Sequence, residues 1–213
     1  MDRRLGSATM RSLLALAALS LAACSTVPGS APVASSTDWR QVATAADRTR
    51  LRDWRAAFAR ALTQAQSAGH GAEIAREGAL LAPDAAIGQV PIPNGRYRCR
   101  VIKVGAKMPG LLDYVSYPPF TCRVSQEKEL QGFNKLTGSQ RPSGIIFPGD
   151  PLRQVFLGTL VLGDEQRAMQ YGRDPDRDLA GWVERIGEKR WRLTLPYPHF
   201  ESTLDVIELV PEQ

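Results

Sequence analysis

The sequence is short of the residues that most often carry metal and redox chemistry. It holds three cysteines and two histidines in 213 residues, too few for a zinc ribbon or an iron–sulfur protein. It has no second long apolar run. The single stretch that approaches membrane length lies at the N-terminus, which excludes a polytopic membrane protein. It lacks a strong charge bias, with 27 basic against 22 acidic side chains and a net charge of +5. No Ser nucleophile elbow, P-loop, HExxH or dinucleotide fingerprint occurs, and no solenoid-type repeat is visible. What is present is ordinary: 43% hydrophobic residues exclude wholesale disorder, and the length suits one domain with appendages.

Residues 1–24 read as an address. Arg3, Arg4 and Arg11 precede an apolar stretch from Leu13 to Ala23. That length fits a signal-peptide h-region rather than a bilayer span. The stretch ends in Leu21-Ala22-Ala23-Cys24, which resembles the bacterial lipobox, where the cysteine thiol receives a diacylglycerol before cleavage. Met10-Arg11 would open a shorter signal of the same kind. Cleavage before Cys24 removes three Arg and one Asp, so strong attraction to polyanions such as nucleic acid loses support. Several acyl chains on Cys24 make stable anchoring reasonable. Ser25, rather than Asp, after the cysteine favours the outer membrane. Residues 25–37 contain only Ser, Thr, Val, Pro, Gly and Ala. A flexible tether of that size spans about 20 Å.

The expected organisation is a signal peptide over 1–23, an anchor and linker over 24–37, a helical hairpin over 38–82 and an antiparallel β domain over 95–213. Asp38 and Gln41 stand at capping-box spacing. Leu51, Trp54, Phe58, Ala61, Leu62 and Ala65 then recur at three- and four-residue intervals, which predicts one helix to Ala68. Arg48, Arg50, Arg52, Arg55 and Arg60 mostly occupy its other faces, read as solvated and partly neutralised by Asp47 and Asp53. Gly69 suits a helix end, with His70 exposed in the turn, and a second helix runs from about Ala72 to Leu81.

Beyond residue 95 the period becomes alternating. Tyr97, Cys99 and Val101 share one face, with Arg96, Arg98 and Arg100 on the other. Phe120, Cys122 and Val124 repeat the pattern. Further strands are expected at Leu130–Thr137, Gly144–Phe147, Gln154–Leu162, Gly181–Ile186, Arg190–Leu195 and Leu204–Val210, with a hairpin turn at Gly187-Glu188-Lys189. Eight short strands after two helices predict an α+β fold, with the sheet arranged as a sandwich or a small up-and-down barrel. Cys99 and Cys122 both fall on apolar strand faces. With Cys24 consumed by lipid, they form an even pair in an oxidising compartment, so a disulfide is expected. It would close a loop of 24 residues and stabilise by about 3 kcal/mol in the chain-entropy model.

Two clusters carry the remaining chemistry. Asp174, Asp176 and Asp178 share the alternate spacing of a calcium loop, but Leu179 and Arg185 stand where glycine and glutamate are needed. An Asp/Arg-rich loop is the simpler reading. The second cluster is His199, Glu201 and Asp205, which could bind a metal, perform general acid–base work or bond locally with Arg185 or Arg192. Tyr114, Tyr117 and Tyr197 flank proline-rich turns. No cofactor is implied.

The runs Asp38-Trp-Arg-Gln, Tyr97-Arg-Cys-Arg-Val-Ile-Lys, Lys135-Leu-Thr-Gly-Ser-Gln-Arg-Pro, Tyr171-Gly-Arg-Asp-Pro-Asp-Arg-Asp and Glu201-Ser-Thr-Leu-Asp-Val-Ile-Glu-Leu resemble an uncharacterised family, a domain of unknown function in exported proteobacterial proteins. The resemblance implies export and assigns no activity. The hairpin around Trp191 also resembles calycin-type barrels, including small periplasmic inhibitor domains. The leading expectation is a non-enzymatic binding or structural module, anchored by lipid and facing the periplasm. Its partner would be an envelope protein, a lipid or an anionic polymer. The alternatives are an inhibitor of a hydrolase and an enzyme built on His199, Glu201 and Asp205.

Overall fold

The structure is a computed structural model that describes residues 36–88 and 91–212. The signal segment, Cys24 and the tether as far as residue 35 lie outside the described residues. Four α-helices come first: α1 (Trp39–Val42), α2 (Ala45–Arg52), α3 (Trp54–Ala65) and α4 (Gly71–Glu77). The single long helix expected over 38–68 is broken at Ala43, which is extended at φ −62° and ψ 135°. Thr44 then caps α2, its hydroxyl accepting from the Asp47 amide at 3.1 Å. A competent cap three residues before an acidic side chain starts a new helix more readily than it continues an old one. Gly69 makes the later turn with φ 95°, and residues 78–81 close the segment as a 3₁₀ turn.

Nine antiparallel strands follow: β1 (Gly95–Ala106), β2 (Tyr114–Ser116), β3 (Phe120–Glu127), β4 (Leu130–Lys135), β5 (Gln140–Phe147), β6 (Arg153–Leu162), β7 (Asp178–Gly187), β8 (Arg190–Pro196) and β9 (Ser202–Pro211). Each of β3 to β9 pairs with its chain neighbour, and β9 returns to β1. The closing register runs from Tyr97 opposite Pro211 to Ala106 opposite Ser202. Eight strands thus form a closed barrel, and β2 adds one short extra strand beside β1. Closure leaves the main strands no free edge.

Alternation sorts the side chains. Tyr97, Cys99, Val101, Cys122, Phe133, Phe156, Trp191, Leu193 and Ile207 fill the interior. Cys99 and Cys122 are joined by a disulfide on the inner wall. Ile92 plugs one end, tied through its carbonyl to the Gln131 side chain at 2.7 Å. Eight strands enclose a space that side chains can fill.

The outer face is also buried. Trp54, Phe58, Ala61 and Ala65 of α3 pack on Ile102, Val104, Leu204 and Val206. Ala43 and Leu51 pack on Ile145, Phe147, Val155 and Leu157. The approach of α3 to β1 needs Gly105, where a Cβ would lie 2.9 Å from the Ala61 Cα. Between helices and barrel lies a charged layer. Glu184 accepts from Arg192 and from Arg153, each at 2.6 Å. Arg192 also donates to the carbonyls of Ala79, Leu80, Ala82 and Pro83. Burial pulls its guanidinium below the ordinary range, and Glu184 opposes that pull. The arginines of α2 and α3 are partly neutralised as expected: Arg50 pairs with Asp47 at 2.9 Å, Arg52 with Asp53 at 3.2 Å and Arg55 with Asp84 at 2.6 Å.

Candidate functional site

The barrel end opposite the Ile92 plug carries the polar chemistry. Lys103 and Asp205 are direct partners in the β1–β9 register. The inward face of β1 runs Tyr97, Cys99, Val101 and then Lys103, so the lysine stands where the apolar interior meets the mouth. Its ammonium donates to Asp205 Oδ2 at 3.2 Å and pairs with Glu201 Oε2 at 3.0 Å. Ser202 donates its hydroxyl to the other Asp205 oxygen. Gln140 on β5 donates its side-chain amide to Glu201 Oε1 at 3.3 Å. Burial works against the Lys103 charge, but the two carboxylates outweigh it and hold the ammonium above its usual range. Two carboxylates share this one ammonium, and Asp205 is the deeper of them. Burial therefore pushes the Asp205 carboxyl up.

The loop from Tyr197 to Glu201 crosses the mouth. His199 Nδ1 lies 3.2 Å from Asp176 Oδ1, and its ring meets Phe200 edge-on at 4.8 Å. Lys107 ties the loop from outside, donating to the carbonyls of Pro198 at 2.9 Å and His199 at 2.6 Å. The loop is bracketed by two left-handed residues that are not glycine, Tyr197 at φ 49° and Glu201 at φ 67°. A bulky residue held there carries real backbone strain.

These groups surround a small pocket. Val101, Pro142, Leu160, Leu179, Leu195 and Ile207 form its apolar wall, and Lys103, Asp205, Gln140, Asp176 and His199 supply its polar side. It offers about 30 Å³ to the centres of water molecules, room for roughly two or three waters. Lys135 lies nearby on β4. Its ammonium donates to the carbonyls of Thr137 at 2.8 Å and Gln140 at 2.9 Å and sits 3.6 Å from the centroid of the Phe120 ring. Burial, helped by Arg141 and Lys103, lowers its pKa to about 8.

The structure brings His199 and Asp205 into one pocket, with Glu201 joined to it through Lys103. Arg185 is not part of this cluster: it lies at the far end of β7 and donates to the carbonyls of Gly187 and Glu188. Arg192 lies under the helices. His70 stacks on Tyr114 at 5.5 Å and meets Glu73 at 3.4 Å, so it is packed rather than free in its turn. Tyr114 bonds Glu77, and Tyr117 packs near Phe120. The Asp174–Asp178 loop bonds itself: Asp174 accepts from the Asp176 amide and pairs with Arg177, and Asp178 accepts from the Gly172 amide. Among the described residues no group of three or more His, Cys, Asp or Glu is placed to hold a metal ion.

Sequence reasoning missed Lys103, Gln140, Lys135 and the pairing of Asp176 with His199. The first three had a readable signal, since each continues the inward alternation of its own strand with a polar group. Asp176 had none, because its pairing depends on how two long loops fold together.

Fold and mouth together define the protein as α+β, with a closed calycin-like antiparallel barrel, a side-chain-filled interior and a charge-lined pocket at one end. The chain belongs to the family described as a domain of unknown function, DUF4893, whose model matches residues 39–209. No curated protein and no solved structure matches the chain.

Proposed function

We propose that this is a lipid-anchored cell-envelope protein facing the periplasm, and that its domain is a non-enzymatic binding module. The observation that carries the binding-module reading is the mouth. Lys103 is paired within the chain by Asp205 and Glu201, His199 Nδ1 lies against Asp176, and the space beside them holds only a few waters. An acid–base catalyst needs room for a substrate beside its titratable group. The anchoring half of the reading is supported by the lipobox-like residues Leu21 to Cys24 and by the disulfide, which suits an oxidising compartment.

The test has two arms. Full-length chain made in a diderm bacterium with labelled palmitate is expected to take up label and fractionate with outer membrane, and Cys24→Ala is expected to lose both. An unlabelled wild-type chain overturns the anchor. The purified processed protein is expected to leave a panel of ester, glycoside and peptide substrates intact. Turnover that disappears in His199→Ala overturns the non-enzymatic reading.

A further inference from the structure

We infer that the barrel mouth is the binding site of this module and that it takes an uncharged hydrogen-bonding group, a hydroxyl or amide, carried on an apolar body. This deepens the binding-module reading and rests on it.

Three independent features mark the mouth as a site. The first is the pocket, which joins an apolar wall to convergent polar side chains and has room for one small polar group. The second is the strain in the loop that forms its edge. Among the described residues only three non-glycine positions have positive φ, and two of them, Tyr197 and Glu201, bracket the loop carrying His199 and Phe200. Strain of this kind persists only where surrounding contacts enforce it, and it gathers at functional sites. The third is a set of exposed apolar side chains on the chain segments that adjoin the mouth, taken here as its rim. Met108 is 60% exposed, Leu112 70% and Leu136 43%. Met108 and Leu112 belong to the β1–β2 loop that Lys107 ties to the mouth, and Leu136 follows Lys135. The opposite end is stoppered by Ile92, so a ligand enters from the rim.

Charge decides the ligand class. Three ammonium groups, Lys103, Lys107 and Lys135, meet three carboxylates, Asp176, Glu201 and Asp205. These six charges cancel, and Arg141 beside Lys135 is held by the carbonyls of Gly138, Gly163 and Glu165. Lys103 already faces two carboxylates, and Lys107 and Lys135 already face pairs of carbonyls. An entering ion would shed its water and meet a cluster with no net charge to offset that loss. A neutral group loses less on entry. It can donate to the outer Asp176 carboxylate, which is largely exposed, and bond the His199 Nε2 that Asp176 leaves open. The apolar body then lies on Phe200 and the rim.

The experiment uses four probes of one shape and different charge: benzyl alcohol, benzamide, benzoate and benzylammonium. Each is titrated into the ¹⁵N-labelled processed protein, and backbone amide shifts are followed. Benzyl alcohol and benzamide are expected to shift the amides of Lys103 to Lys107 and Tyr197 to Asp205 saturably, with both ions at least tenfold weaker. His199→Ala, a change to a half-exposed loop side chain, is expected to weaken benzamide about tenfold. Met108→Ser is expected to weaken it less. An ion that binds as tightly as the neutral probes overturns the inference, and so does a mouth that no probe shifts. Turnover of a panel substrate would end the non-enzymatic reading and leave these shifts in place. A silent mouth without turnover ends this inference alone.

Discussion

Arg192 is the largest fully buried side chain among the described residues. Alternation on β8 marks Arg190, Arg192 and Thr194 as the polar face, opposite Trp191, Leu193 and Leu195. The alternation was legible, but the environment was not, because the helices that cover this face come from a segment more than a hundred residues away. A polar stripe can face a second layer if each charge is paired, and Glu184 does that here. Removing one partner of such a pair strands the other. Arg192→Leu leaves four carbonyls without their donor and is expected to lower stability by about 3–5 kcal/mol in urea unfolding. Lys135 gives a pH signature. Its folded pKa is lowered to about 8, below the unfolded value of about 10.4. Between those values the unfolded chain binds more protons, so this group makes stability rise with pH. The difference in unfolding free energy between wild type and Lys135→Met is expected to shift toward wild type from about pH 8 to about pH 10, by at most about 1.4 kcal/mol per pH unit. A flat difference would show that Lys135 is not depressed.

At the scale of elements, period did most of the predictive work. All eight expected strands are present, because inward apolar residues alternate over five or more positions in most of them. β2 was not expected: three residues give no period to read, and its partner is the far half of β1. The helical segment shows the opposite error. The expected helix runs on past Ala43, but local capping at Thr44 divides it, and a hydrophobic period carries no information about caps. The docking of α3 on β1 depends on one bare backbone position. Gly105 combines φ +74° with the close approach of Ala61. Gly105→Ala is expected to destabilise by about 1–3 kcal/mol through strain and overpacking. The near-ultraviolet signal of Trp54 should weaken with it, and an unchanged unfolding midpoint would show that α3 can shift freely.

At the scale of the molecule, the barrel is a middle layer rather than a free-standing one. Its interior is filled, and much of its exterior is apolar beneath α2 and α3. Class could be read from the sequence, since helices precede strands, while a sandwich and a barrel were both compatible with the strand pattern. Closure could not, because nothing local distinguishes a rolled sheet from an open one. The helical segment is therefore part of the fold. A chain starting at residue 91 would expose Ile102, Val104, Leu204 and Val206 and is expected to self-associate, as contiguous apolar surface does. Light scattering on a sizing column would check this, and a clean monomer would contradict it. The β1–β9 seam has a further consequence, for the order of biosynthesis. β1 meets the strand that closes the ring only when β9, the last strand in chain order, has left the ribosome. Until then β1 is an open edge with a long apolar row, a template for the wrong neighbour. Closure of the ring is thus the last step of folding, and a growing chain stays in an unclosed form until β9 is free.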